Sequence, residues 1–336
     1  MPPFFQANRE ECGRYLCGLP SGSKRVLINM DKKLSDILDM SSNTAMLAEI
    51  SKTARMVAAD FDLNRFRSVY DDVVAIYQGN FPGYKACNTD YHDLNHVLQV
   101  TLATASIAHG THVAGRLLDR SDLLLILVLA MLHDTGYIQS SFDEQGTGAK
   151  YTLVHVDRSI DFAQNYLAHI GFDRDAVQAC AVIIKATDIS VRIDGIPFLR
   201  EKWELLAKVM ATGDIVAQIS DRFYLEKLLF LYREFAEGGV HGFDSELDLL
   251  KKTIGFYNYA LKRMDHDLGG FRKHLKCHFE KRWGIDEDLY QKSVDANIRY
   301  LTFLLAEHTE NYRGMLQRRN DRFTSPLSVP VPCGPN

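Results

Sequence analysis

The sequence predicts an all-α protein, and three observations support this. Apolar residues recur at spacings of three and four along most of the chain, alternating strand patterns are nearly absent, and the nine prolines concentrate in loops and in the C-terminal tail. The chain has 336 residues, of which 46% are hydrophobic. A chain of this kind can bury a large core. We therefore expect a compact bundle of many helices.

The helical pattern divides the chain into three parts. Helical periodicity runs from Val26 to Tyr77, interrupted at 41–43 and 61–64, so we expect residues 1–88 to form a helical layer of the same domain as the core. The core itself is expected at 89–320, followed by a loosely held, Pro-rich tail at 321–336. Further helices are predicted at about 93–109, 121–134, 154–170, 174–186, 200–218, 220–236, 244–265 and 286–318. The apolar residues of the last helix predict packing or a homodimer interface.

Composition and charge exclude several classes of function. The net charge of −4 offers no basic excess for a phosphate backbone, so nucleic acid is not an expected partner. The longest apolar run has ten residues, fewer than the roughly 20 that span a bilayer, so we expect no membrane association. The N-terminal sequence lacks a secretory pattern, which predicts a cytoplasmic location. Six scattered cysteines without a C-x-x-C pair indicate neither a disulfide framework nor a thiolate zinc site.

The adjacent pair His133-Asp134 is the first candidate for chemistry. It directly follows the apolar run Leu123 to Leu132, and Gly136 is expected to end that helix. Burying the Asp134 carboxylate is costly unless it is paired or coordinated, so its position favours a bound cation. The alternative is a helix that ends at the surface with a solvated His-Asp pair.

Two further histidines, His92 and His96, form the second candidate. Thr89 or Asp90 is predicted to cap a helix here, and the spacing of four would place both imidazoles on one helix face. Two imidazoles so placed can share a metal, or one can bind it while the other exchanges protons with a substrate. Ordinary surface histidines at a helix start remain the alternative.

Asp214 and His155 complete the candidate set. Asp214 is a lone carboxylate in an apolar stretch whose small neighbours allow close approach of another helix, and His155 opens a predicted helix after a Gly-containing loop. Each alone would be interpreted as a surface residue. A mixed set of imidazoles and carboxylates suits one or two divalent ions, Zn²⁺, Mg²⁺, Mn²⁺ or Fe²⁺, with positions left open for water. The predicted metal ligands are His96, His133, Asp134 and Asp214.

The order of these motifs resembles the HD-domain metal-dependent phosphohydrolase superfamily, and more specifically the catalytic domain of class I cyclic nucleotide phosphodiesterases. The similarity covers residues 91 to about 265. Tyr91 to His96 reads Y-H-D-L-N-H and matches the family's Y-H-N-x-x-H, 186–190 resembles A-T-D-M-S, and 254–256 resembles the segment that carries the nucleotide clamp. The resemblance implies that His92 is the general acid, that Asp188 orients groups around the metal, and that Tyr91 and Phe256 contact substrate.

The chain also departs from the family pattern. Tyr137 stands where the phosphodiesterases have a third His, and the Glu that orders their bridging water has no clear match, so Asp143, Glu144 or His155 are the candidates for a second metal or for ordering water. Thr253 stands where the family has its purine-binding Gln, which replaces an amide with a single hydroxyl. These departures affect the expected substrate more than the expected metal chemistry.

The expected function is therefore metal-dependent hydrolysis of a small phosphorylated substrate. The resemblance favours a nucleotide phosphodiester, such as a cyclic nucleotide, attacked by metal-activated water with His92 as acid. One alternative is an HD-type nucleotidase or guanine-nucleotide phosphohydrolase. An alternative of another class is a catalytically silent regulator that keeps the metal and binds a ligand or partner.

Overall fold

The computed structural model describes residues 32–116 and 118–317. These residues form thirteen α-helices, and no β-strand occurs among them beyond a single isolated bridge between Tyr84 and Ser140. The all-α prediction is confirmed. The helices are α1 Leu34–Ile37, α2 Asn43–Val57, α3 Leu63–Gln78, α4 Leu94–Val113, α5 Arg120–Leu132, α6 His155–His169, α7 Arg174–Lys185, α8 Glu201–Ser220, α9 Tyr224–Glu237, α10 Glu246–Lys262, α11 His274–Trp283, α12 Leu289–Glu307 and α13 Tyr312–Met315.

Helices α4 and α8 form the centre of the bundle. They pack on each other, and α4 also contacts α2, α5 and α11. Both central helices are rich in small residues and are buried over most of their length, as is the apolar helix α5. A helix that is apolar on all sides is stable only when other helices surround it. The N-terminal layer supplies part of that cover, because α2 packs on α4 and α3 packs on α5.

The C-terminal part differs most from the predicted helices. The segment predicted as one helix over 286–318 is α12, a 3₁₀ turn at Thr309–Asn311 and the short α13. No large apolar residue lies between Leu305 and Tyr312 to continue the buried face of α12. Helix α11 was not predicted, since its sequence is mostly polar and only Leu275, His278 and Phe279 are buried. The residues predicted for packing on the last helix, including Leu289, Leu301 and Leu304, are buried within this chain. The dimer stays a prediction.

Two of the sequence predictions concern residues that the structure does not describe. The tail at 321–336 and the first part of the N-terminal layer, residues 1–31, lie outside the described residues. Within 32–116 and 118–317, no helix has the length and apolar character needed to cross a membrane.

Gly213 permits the close contact between α8 and α4 next to Asp214. A Cβ at this position would lie 2.3 Å from Thr104 Oγ1 and 3.0 Å from the Thr104 Cα. We expect Gly213→Ala to destabilise the fold by on the order of 1–2 kcal/mol, because overpacking costs about 1–3 kcal/mol and helix propensity returns up to about 1. Urea unfolding measures this loss. Gly195→Ala is the matched control, since a Cβ there meets nothing within 4 Å, and equal effects of the two substitutions would contradict the predicted contact.

Candidate metal centre

The four predicted metal ligands converge from three helices. His96 lies in the first turn of α4, His133 and Asp134 directly follow α5, and Asp214 lies in the middle of α8. The donor atoms of His96, His133 and Asp214 lie within 4.8 Å of one another and could hold a metal ion. Asp134 joins them, with Oδ2 3.3 Å from His96 Nε2 and 3.2 Å from His133 Nε2. Residues up to 118 positions apart in the sequence therefore meet at one point.

The spacing of these donors fits a small divalent cation. Asp214 Oδ1 lies 3.7 Å from His96 Nε2 and 3.7 Å from His133 Nε2, and the Asp134 contacts are slightly shorter. Donors at the 2.0–2.2 Å bond lengths typical of zinc would stand about 3.4 Å apart in a tetrahedron. The four nitrogen-to-oxygen distances of 3.2–3.7 Å are close to that value, and the donors of His96, His133 and Asp214 form the group that could hold an ion.

The electrostatics of the cluster attract positive charge. His133 and Asp134 are 2% and 3% exposed, which removes the alternative of a solvated pair at the surface. Burial acts to lower the pKa of His133, but Asp134 and Asp214 outweigh it and raise this pKa to about 9. Burial acts to raise the pKa of Asp134, but His133 and His96 hold it well below its ordinary value. The Asp134 carboxylate is therefore ionised and able to bind a cation.

The orientation of two imidazoles is set by backbone carbonyls. His133 Nδ1 lies 2.9 Å from the carbonyl of Ala130, and His155 Nδ1 lies 2.7 Å from that of Thr152. A donor bond from Nδ1 orients the ring and makes Nε2 the nitrogen that binds a metal or a proton. In both residues Nε2 is the nitrogen that approaches Asp134.

His92 lies beside the cluster but not in the predicted helical position. Asp93 caps α4, because its side chain accepts a hydrogen bond from the His96 N–H, and the helix begins at Leu94. The predicted cap at Thr89 or Asp90 is therefore wrong, and His92 precedes the helix. Its ring still lies 5.9 Å from that of His96, measured between centroids.

Glu234 is a residue of the site that the sequence interpretation missed. Its Oε2 lies 2.6 Å from His92 Nδ1, and its Oε1 accepts a hydrogen bond of 2.7 Å from the backbone N–H of Tyr91. Burial acts to lower the pKa of His92, and the Glu234 carboxylate reverses this and raises it. A signal was present, because Glu234 continues the buried stripe of Leu228 and Leu231 at intervals of three.

Tyr137 stacks between two imidazoles. Its ring centroid lies 4.1 Å from that of His92 and 4.5 Å from that of His155. Helix α5 ends at Leu132, so the prediction that Gly136 ends this helix is wrong, and Gly136 lies instead in the 3₁₀ turn Thr135–Tyr137. It allows α6 to approach, because a Cβ there would lie 1.9 Å from the His155 carbonyl oxygen. This turn therefore fixes His92 and His155 relative to Asp134.

Three residues were predicted to bind a second metal or to order water, and of these only His155 lines the site. Its Nε2 is 3.8 Å from Asp134 Oδ1, the oxygen not directed at His96 and His133, and burial lowers its pKa, which favours the neutral ring. Glu144 is exposed, and the Asp143 carboxylate is bound by Lys150 and Tyr151. Neither contributes to the wall of the site.

Asp188 also points elsewhere. Its carboxylate accepts hydrogen bonds from the Ser190 backbone N–H and hydroxyl and lies 3.4 Å from Lys185 Nζ. The residue before it, Thr187, does line the site. The predicted role of Asp188 in orienting groups around the metal therefore has no contact to support it.

The metal centre opens into a cavity of about 70 Å³. The residues that line it are Tyr91, His92, His96, His133, Asp134, His155, Thr187, Asp214 and Gln218. Thr253 and Phe256, predicted to bind substrate, are not among them. The Thr253 hydroxyl is buried and donates to the carbonyl of Leu249 one turn earlier in α10, and Phe256 is 9% exposed. Thr187 and Gln218 are lining residues that the sequence interpretation did not identify.

Comparison with known proteins identifies no relative of this chain. No model of a known protein family, no curated protein and no solved structure matches the chain significantly.

Proposed function

We propose that the protein is a metal-dependent phosphohydrolase that cleaves a phosphodiester of a small molecule. The observation that carries this proposal is the convergence of His96, His133, Asp134 and Asp214 in one small cavity with a fifth side chain, His92, held by a carboxylate. A mixed imidazole and carboxylate set without thiolates is typical of hydrolytic centres rather than of closed structural zinc sites. The motif order of the sequence supports the same chemistry.

The ligand residues would hold one divalent ion, Zn²⁺, Mn²⁺, Fe²⁺ or Mg²⁺, and Asp134 Oδ1 with His155 offers donors for a second. When bound, such an ion supplies Lewis-acid activation, lowering the pKa of water from about 15.7 toward 7 so that it can act as a nucleophile at neutral pH. Asp134 and Asp214 provide the negative charge that holds the ion. His155, with Nδ1 bonded to a carbonyl, keeps Nε2 available beside Asp134.

His92 is the proposed general acid. Because Glu234 binds Nδ1, the remaining nitrogen, Nε2, is the one available to give a proton to the leaving oxygen. The Glu234 carboxylate also favours the protonated ring. Tyr137 stacks on His92 and limits its rotation.

The volume of the cavity limits how much of the substrate it can enclose. Its volume of about 70 Å³ is far below the roughly 300–1,000 Å³ of pockets that enclose a drug-sized ligand. The described walls therefore suit the reacting phosphoryl group with its nearest atoms, and a base or other large group would extend beyond them.

A panel of phosphate esters tests the proposed function. Metal-loaded protein would be assayed with cyclic nucleotides, nucleoside monophosphates, hyperphosphorylated guanine nucleotides and bis(p-nitrophenyl) phosphate. Turnover of the diesters supports the proposal, whereas cleavage restricted to monophosphates or to guanine nucleotides favours the alternative hydrolases. Metal-bound protein without turnover on any of them would overturn the proposal and favour a silent regulator.

A further inference from the structure

The cavity wall contains one amide whose hydrogen-bonding capacity the metal centre does not use. Gln218 lies four residues after Asp214 on α8, so both side chains lie on the same helix face, about one turn apart. Both line the cavity. A neutral amide beside two imidazoles and two carboxylates is a weak candidate for a ligand of the ion, which leaves substrate as its expected partner.

The other uncharged polar side chains of the wall are those of Thr187 and Tyr91. The Thr187 hydroxyl donates to the carbonyl of Ile184 at 2.8 Å. Tyr91 is 3% exposed, and its backbone N–H donates to Glu234. The Gln218 amide has two N–H donors and an acceptor oxygen, so it can bind more than one partner.

Thr253, which stands at the purine-binding position of the phosphodiesterases that the sequence resembles, cannot supply a hydrogen bond to substrate. Thr253 is 1% exposed and its hydroxyl donates within its own helix. For the part of the substrate next to phosphorus, the cavity wall is the nearest described source of a selective hydrogen bond.

We infer that Gln218 determines specificity by binding a hydroxyl group that the substrate carries close to its phosphoester. This inference rests on the proposed function and names the substrate class more closely, as phosphate esters of hydroxylated carbon chains or sugars. An amide suits such a group because it can donate to a hydroxyl oxygen and accept from its proton. The distance of one helical turn from Asp214 places the amide near the atoms next to phosphorus.

A binding experiment with two matched ligands tests the inference without relying on turnover. Glycerol 3-phosphate and propyl phosphate have the same chain length and phosphate group and differ only in hydroxyls. Calorimetric titration into Mn²⁺-loaded wild-type protein should give an affinity about tenfold higher for glycerol 3-phosphate, the value of one directed hydrogen bond. Gln218→Leu should lose this preference while its affinity for propyl phosphate stays unchanged.

Gln164→Leu is the matched control. Gln164 is also half-buried, but its amide donates to the carbonyl of Val177, away from the cavity, so the preference should persist. Gln218→Ala replaces the leucine variant if that variant fails to fold.

Three results would overturn the inference: no preference in the wild type, a preference that survives in Gln218→Leu, or an equal loss of affinity for both ligands, which indicates a structural role. Preference in a protein that hydrolyses none of the esters of the panel would overturn the proposed function and leave the binding role of Gln218 standing.

Discussion

Asp134→Asn is expected to abolish both metal binding and phosphodiester hydrolysis. The carboxylate contacts both imidazole donors through Oδ2 and faces His155 through Oδ1. Loss of a residue that only supports a ligand typically costs 10–100-fold in metal affinity or activity. Removing the charge of a ligand itself should exceed that range, so we expect a loss greater than about 100-fold in each. Calorimetric titration with Mn²⁺ and the rate with bis(p-nitrophenyl) phosphate measure the two losses.

The control for this substitution is Asp157→Asn. Asp157 lies on α6 near His155, but its side chain is 69% exposed and pairs with Lys185. Its removal should leave metal affinity and rate unchanged. Unfolding curves establish that Asp134→Asn is folded, and a folded variant that retains wild-type metal affinity would contradict the assignment of Asp134.

His92→Ala is expected to slow hydrolysis in proportion to the difficulty of the leaving group. A general acid contributes about 10²–10⁴-fold when the departing oxygen needs a proton. We expect a loss of that size for a diester with an alkoxide leaving group, and a loss below about tenfold for bis(p-nitrophenyl) phosphate, whose leaving group departs without help. Equal losses for both diesters would argue against proton donation by His92.

The pH dependence of the Glu234→Gln variant also tests His92 as the general acid. Burial acts to lower the pKa of His92, and the Glu234 charge reverses that effect. The neutral amide should therefore lower this pKa. A general acid works while protonated, so the alkaline limb of kcat should move to lower pH. Glu237→Gln on the same helix is the control, because Glu237 binds Thr147 outside the cavity.

The candidate metal ligands could be picked out from the sequence because two of them are carboxylates in apolar surroundings. Asp134 follows ten apolar residues and Asp214 interrupts an apolar helix, and a carboxylate in such a position needs a partner. The helical periodicity of α4 to α10 was similarly readable. What the sequence could not give was α11, whose few buried residues are too sparse to produce a pattern.

The partners of these residues depend on the tertiary structure. His92 and Glu234 lie 142 residues apart in the chain, and only the tertiary fold brings them together. The roles expected for Thr253 and Asp188 stay predictions. They came from motifs that resemble the phosphodiesterases, and a motif does not specify side-chain partners: the Thr253 hydroxyl donates within α10, and the Asp188 carboxylate accepts from Ser190.

The most direct test is the metal content of the wild-type protein measured together with its phosphodiesterase activity. We predict one to two equivalents of a divalent first-row metal or Mg²⁺ per chain, loss of hydrolysis when a chelator removes the metal, and recovery when Zn²⁺, Mn²⁺, Fe²⁺ or Mg²⁺ is restored. A protein that binds none of these ions, or that hydrolyses phosphodiesters equally well after complete removal of metal, would contradict the proposal.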